Sequence, residues 1–330
     1  MKRALVIGID HYPASPLAGC VNDASQIAGL LETHGDGSPN FDVVRMSSDS
    51  QTVTAAKLQD EIVKLFAGNA DTVLLYFAGH GILSDQTNVA HICAQDARKG
   101  GYGMSLAEIL QLANSAADRI KSSVIILDSC HSGFAGETVG SGSVSISSVI
   151  GNGVTIMTAC QRDQTAAETG GAGLFTSLVA HALRGGAADI LGRITPAAVY
   201  AHVDQTLGGW EQRPIYKANV HTFVQLRQVP ARVPAESLRN LPRWFPTASS
   251  VYSLGPSCEP NRDSFAEQFK DIKVNPEHHK VYREMQRFAR NGLVEPVDFD
   301  HMWDAAMNQT GCRLTALGAH YRRLAEKRRI

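Results

Sequence analysis

The sequence predicts an α/β sandwich on a mostly parallel sheet, followed by a small, mainly helical C-terminal domain. Three observations carry this. Short runs rich in Val, Ile and Leu recur through the first two-thirds of the chain. Several are apolar without alternation, as in strands covered on both faces. Helical patterns fill the intervals, and strand–helix alternation points to parallel βαβ units. The predicted strands are 4–9 (ALVIGI), 41–46 (FDVVRM), 71–78 (DTVLLYFA), 122–128 (SSVIILD), 153–159 (GVTIMTA) and 220–226 (VHTFVQL). The first predicted helix, NDASQIAGLLETHG, takes its Asn/Asp pair as a cap and stops at a glycine. TAAKLQDEIVKLFAG, SLAEILQLANSA and FTSLVAHALRGG follow, and TPAAVYAHVDQTLGG has Thr195 as N-cap with Pro196 at the first helical position.

Residues 134–153 are Gly/Ser-rich and predict a long mobile loop. Pro230, Pro234, Pro242, Pro246, Pro256 and Pro260 predict an extended linker over 229–260. The expected organisation is a first domain over 1–228, that linker, and a helical accessory domain over 261–330. No internal repeat is present.

The composition is that of a globular protein, 44% hydrophobic and 19% charged over 330 residues, with ample length for a large core. A net charge of −1 names no partner, but its distribution is uneven. Residues 231–330 hold 16 Lys and Arg against 12 Asp and Glu, leaving 15 against 20 in the rest. Six cysteines, at 20, 93, 130, 160, 258 and 312, form no CxxC or zinc-knuckle spacing. So few in so long a chain predict no disulfide framework and a reducing, cytoplasmic setting. The run MKRALVIGID is too short for a signal peptide, and no stretch approaches about 18 apolar residues, so no membrane association is expected.

Two predicted strands end in reactive residues. LLYFAGHGI delivers His80 between Gly79 and Gly81, and VIILDSC delivers Cys130. In a parallel sheet both ends share one edge, where functional loops gather. An imidazole beside a thiol can take its proton or hold the thiolate as an ion pair. The backbone N–H groups of Gly81 and Cys130 are the natural oxyanion donors for acyl transfer. Asp128 shares a strand face with Cys130 if the strand geometry persists. Asp23 lies where the first helix begins. Two acids around one pocket favour Arg or Lys and disfavour Asp or Glu. Each acid also has a plainer reading, Asp128 as a turn cap and Asp23 as a helix cap. Cys20, Cys93 and Cys160 read as packing residues and His131 as structural.

These segments resemble the caspase/metacaspase clan of cysteine peptidases. The resemblance is ordered and spans about residues 1–226: ALVIGIDHYP, LAGCVNDA, YFAGHG, LDSCHSG, TACQRDQTAAE and GLFTSLVAHAL. Its DSC form is similar to metacaspases and related bacterial enzymes, which cut after Arg or Lys. The resemblance implies a six-stranded caspase-like α/β/α sandwich, His80 as base and Cys130 as nucleophile. It implies Asp23 and Asp128 as the acidic floor of the substrate pocket, with Cys20 lining it. It also implies Ala159–Glu168, including Asp163, as the loop flanking substrate. Protein substrates follow from it.

Two departures matter. Many metacaspases need calcium, held by acids after the catalytic His, but here that region offers only Asp85 and Asp96. No metal or other cofactor is therefore expected. From His131 through Gln161 there is no Lys or Arg, so an enzyme cutting after basic residues cannot process itself there. A single-chain enzyme is expected, or one cut at Arg98/Lys99, Arg227, Arg232, Arg239 or Arg243.

Residues 261–330 lie beyond this resemblance. RNGLVEPV and LTALGAHYRRL resemble the helix-to-strand passage and final helix of winged-helix domains, and YRRLAEKRRI is basic. The segment reads as a site for a regulatory protein partner or, more weakly, for DNA. By resemblance, bacterial caspase-like proteases with such appendages act as effectors in defence systems. A non-catalytic caspase-like adaptor, with the C-terminal module as its working part, is the alternative reading.

Overall fold

The structure is a computed structural model describing residues 1–84, 89–129, 150–159, 168–169, 172–208, 214–262 and 267–330. It divides into two compact units. The first comprises Met1–Ala188 and Gly192–Pro230, the second Asp189–Leu191 and Ala231–Ile330.

The first unit begins β1 (Lys2–Gly8), α1 (Cys20–Glu32), β2 (Asp42–Ser47), α2 (Ala55–Phe66) and β3 (Ala70–Ala78). An antiparallel trio follows, β4 (Gly81–Leu83), β5 (Ala90–Arg98) and β6 (Gly101–Ser105), then α3 (Leu106–Ser115), β7 (Ile120–Asp128) and β8 (Val154–Thr158). Next come the paired β9 (Glu168–Thr169) and β10 (Ala172–Gly173), α4 (Leu174–His181), a π-turn (Ala182–Gly186), β11 (Arg193–Ile194), α5 (Pro196–Leu207), β12 (Ile215–Asn219) and β13 (Arg227–Gln228). Six strands form the main sheet in the order β12-β8-β7-β3-β1-β2. All neighbours are parallel except β12 and β8.

Side-chain alternation splits the central strands between two cores. Leu5, Ile7, Leu75, Phe77, Ile125 and Leu127 pack with Leu58 and Ile62 of α2 and Ile109 of α3. Val6, Leu74, Tyr76, Val124 and Ile126 pack with Ile27 of α1, Val179 of α4 and Val203 of α5 on the other face. Both alternating sets are buried, which is why β1, β3 and β7 read as continuous apolar runs. The expected α/β/α layering is the one observed.

Three helices start where their caps predict. Thr54 accepts from the N–H of Lys57, Thr195 accepts from Ala198 ahead of Pro196, and Ser105 with Glu108 forms a reciprocal capping box. α1 departs from expectation. It starts at Cys20, with Gly19 at the cap and no side chain there, so Asp23 is not the cap. The Asp10 carboxylate, ten residues back, accepts the N–H groups of Cys20 (2.8 Å) and Val21 (3.1 Å) instead. An acid in the loop between β1 and α1 thus satisfies orphan donors of the first turn.

Close approach of α1 to β1 depends on Gly8. A Cβ there would lie 2.3 Å from the carbonyl oxygen of Cys20 and 2.7 Å from the Cβ of Ala24. Gly8→Ala is expected to destabilise the fold by about 1–3 kcal/mol, because a rigid helix backbone must move. Urea unfolding of the two proteins measures it, and an unchanged midpoint refutes the packing account.

The sixth strand is not where its apolar content predicts. Residues 220–226 are irregular, and Ile215–Asn219 forms the antiparallel edge strand. Val220 and Phe223 are exposed, and the Phe223 ring lies 5.1 Å from the Arg193 guanidinium. An edge strand is held by backbone pairing on one side, so its sequence need not be strongly apolar.

The second unit contains α6 (Ala235–Arg239), α7 (Leu241–Trp244), β14 (Val251–Tyr252), a 3₁₀ turn (Pro256–Cys258), α8 (Pro276–Arg290), β15 (Val294–Pro296), α9 (Met302–Met307), β16 (Cys312–Leu314) and α10 (Ala316–Glu326). Its sheet is antiparallel, in the order β14-β16-β15. Residues 231–260, expected as extended linker, are folded into this unit. Val233, Leu238, Leu241, Phe245 and Leu254 are buried with Tyr282, Met285 and Phe288. The prolines act at helix starts: Pro234 caps α6, Pro242 opens α7 and Pro256 opens the 3₁₀ turn. The helix-to-strand passage expected at RNGLVEPV is α8 to β15, and the final helix is α10. Part of the basic tail is structural. Arg322 is buried and donates to the carbonyls of Phe245 and Pro246, while Arg323, Lys327, Arg328 and Arg329 stay exposed. Among the described residues, no helix is long and apolar enough to cross a membrane.

Candidate active site

The carboxyl ends of β1, β3 and β7 are adjacent, with Asp128 the last residue of β7 and His80 two residues past the end of β3. β7 ends at Asp128, whose carbonyl accepts the N–H of Gly79 at 3.3 Å. His80 is the next residue, so the ends of β3 and β7 are stitched together beside the imidazole.

The backbone of His80 is clamped on both sides. Its N–H donates to the Tyr12 hydroxyl at 3.0 Å, and its carbonyl accepts from Cys93 at 2.9 Å. The Tyr12 hydroxyl in turn donates to the Cys93 carbonyl at 3.1 Å, and the Tyr12 ring lies 4.5 Å from the imidazole. Burial pushes the Tyr12 pKa well up, so the hydroxyl keeps its proton. On the ring itself, Nε2 lies 2.7 Å from the carbonyl of Ser15. A carbonyl can only accept, so Nε2 carries the proton of the neutral imidazole and Nδ1 is its basic nitrogen.

Gly81 opens β4 opposite Ile92. The Cys93-to-His80 bond flanks this pair, so the pair is of the non-hydrogen-bonded kind and the N–H of Gly81 faces away from β5.

Asp23 and Asp128 converge. The N–H of Gly173 donates to Asp23 Oδ2 at 2.9 Å, and Thr176 donates to Asp128 Oδ2 at 2.6 Å. A Cβ on Gly173 would lie 2.5 Å from Asp128 Oδ2 and 3.1 Å from Asp23 Oδ2, so only glycine leaves both oxygens accessible there. Both acids are buried, at 2% and 8% exposure. They also act on their surroundings. Burial, then the Asp128 and Asp23 carboxylates, pushes the Tyr76 hydroxyl up. Burial, Asp10, Asp128 and Asp23 together raise the Cys20 thiol. Cys20 is therefore a protonated thiol beside the acids. Cys93 is similarly inert, pushed up to about 12 by burial.

Cys130, Asp163, Cys160, His131 and Asp85, with the segments 130–149 and 160–167, lie outside the described residues. Ser129, the residue before Cys130, is buried. Asp96 accepts the N–H of Ala55 at 2.7 Å, the first N–H of α2.

Five contributors escape the sequence reading. Asp10 and Tyr12 follow β1, and the rule that placed His80 at a strand end could have found them. The carbonyl of Ser15, Gly173 and Thr176 carry no such signal.

The described part of the site is thus an imidazole beyond the end of β3 and two buried acids, one ending β7 and one on α1, on an α/β/α sandwich. Residues 1–232 match the family model of the caspase domain, Peptidase C14, and the chain belongs to that family. It is a family of cysteine peptidases, with proteins as substrates. Among solved structures, the fold is similar to a protein from Geobacter sulfurreducens at 18% identity and TM-score 0.49, covering 69% of this chain and 97% of that one. It is also similar to caspase-1 from Spodoptera frugiperda at 12% identity and TM-score 0.49, covering 69% and 90%. No curated protein matches the chain.

Proposed function

We propose that this protein is a cysteine endopeptidase cutting after Arg or Lys, with Cys130 as nucleophile and His80 as base. The observation that carries the specificity is the convergence of two buried carboxylates, Asp23 and Asp128, at the Gly173 backbone. Two like charges held that close in a poorly solvated site favour a cation between them, and a guanidinium or ammonium supplies it.

The chemistry follows from the imidazole's orientation. Nδ1 takes the thiol proton, and the thiolate attacks the scissile carbonyl. The resulting imidazolium keeps its Nε2–H on Ser15 and donates from Nδ1 to the departing amine. The acyl-enzyme is then hydrolysed by a water that gives its proton back to Nδ1. The N–H groups of Gly81 and Cys130 hold the oxyanion. Asp163 belongs to the loop read as flanking substrate, and no step here uses a metal. The second unit is read as a recruitment module for a protein partner, consistent with an effector role in a defence or stress system.

Fluorogenic peptides ending in Arg, Lys or Asp test the reading, each with calcium and with chelator. Cleavage after Arg and Lys but not Asp is expected, equal in both conditions. Cleavage after Asp refutes the acidic-pocket assignment.

The Tyr12 hydroxyl is a positioning group in this scheme, since it bridges the His80 N–H and the Cys93 carbonyl and takes no part in a chemical step. Tyr12→Phe keeps the ring but removes two hydrogen bonds, from the His80 N–H and to the Cys93 carbonyl, and is expected to lower kcat about tenfold with little change in KM. An equal loss in a substrate-binding measurement would mean a general structural defect instead.

A further inference from the structure

A cavity of about 390 Å³ adjoins His80. Tyr12, Ile82 and Tyr102 are among its apolar walls, and the exposed Arg98 and Lys99 also line it. Two of its other polar side chains are engaged elsewhere. Gln95 accepts the N–H of Val53 and donates to the carbonyl of His11, and the Tyr12 hydroxyl serves His80 and Cys93. Among the described residues the lining holds no Asp or Glu, and Arg98 and Lys99 give the cavity a positive end.

Its position relative to the acids sets its role. Tyr12, Ile82, Cys93 and Tyr102 pack with the core on the α2/α3 face of the sheet. Cys20, Ala24 and Phe175, which sit by the acids or border them in the chain, pack with the core on the α1/α4 face. His80 lies between the two. A peptide with its basic side chain in the acids presents its departing amine to His80, and the chain beyond that amine continues into this cavity.

We propose that the cavity holds the leaving-group side of the substrate, an apolar or aromatic side chain against its walls followed by an acidic one paired with Arg98 and Lys99. This rests on the cysteine-peptidase reading above. It extends that reading from one residue to three: a basic residue before the cut, then an apolar and an acidic one. It also disfavours cutting within basic runs, where Arg98 and Lys99 would face like charges.

Internally quenched peptides carrying Arg-Tyr-Asp or Arg-Tyr-Lys across the cut site test it, in the wild type and in the Arg98→Glu/Lys99→Glu variant. The Asp peptide is expected to be cut about fivefold faster by the wild type, as for exposed ion pairs, with the order inverted in the variant. The ratio within each protein is independent of how much of it is folded. Equal rates in the wild type, or an order kept in the variant, overturn the proposal. If no peptide is cut after Arg, the peptidase reading fails by itself, and NMR then judges the cavity. Added Tyr-Asp-Ala amide should shift the ring signals of Tyr12 and Tyr102 more than Tyr-Lys-Ala amide does. Equal shifts overturn the proposal independently of catalysis.

Discussion

Cys130→Ala is expected to abolish peptide hydrolysis, lowering kcat by about 10⁴-fold or more, as removal of an attacking nucleophile does. His80→Ala should cost nearly as much, and the double variant little more than either, because thiol and imidazole act as one unit. The His80 variant is informative because its fold is protected. Two bonds that hold residue 80 in place run through its backbone N–H and carbonyl, which alanine keeps, and the side chain contributes the bond to the Ser15 carbonyl and the contact with the Tyr12 ring. Thermal unfolding of the His80 variant should therefore match the wild type closely. Hydrolysis retained in Cys130→Ala would remove Cys130 as the nucleophile, whereas no hydrolysis by the wild type would leave the caspase-like adaptor, whose working part is the C-terminal module.

The second large effect is expected from Asp128→Asn. The substitution keeps the side chain's shape and an oxygen able to accept from Thr176, while deleting one of two buried charges. Loss of a charge facing a buried cation costs several kcal/mol, so kcat/KM on Arg peptides should fall by about 10²-fold or more. Peptides with citrulline in place of Arg separate charge from shape. The wild type should discriminate strongly between them, and the variant should lose most of that preference. An undiminished preference for Arg in Asp128→Asn would mean that the cation is read elsewhere. Asp23→Asn should act in the same direction, since Asp23 meets the same point at Gly173.

The first unit was legible because its strands are buried on both faces. Continuous apolar runs and capped amphipathic helices left few other folds, and five of the six predicted strands lie in the main sheet. The sixth was misread because apolar content signals a strand only where a face is buried, and Phe223 has none to bury against. The linker was misread for a related reason. Proline removes a backbone donor, and that serves a helix start as well as an extended chain. Only the burial of Val233, Leu238 and Phe245 distinguishes the two.

At the site, the sequence by itself determined the chemical types: a thiol and an imidazole at strand ends, with Asp128 two residues before the thiol. Such positions follow from strand polarity and spacing, which are local properties. Tertiary structure decided what those groups can do. It brought Asp23 to Gly173 across 150 residues of chain and Asp128 to the same point, turned Nε2 of His80 onto Ser15 and set Asp10 as the cap of α1. None of these pairings has a local signal, because each joins segments held together only by the packed faces of the sheet.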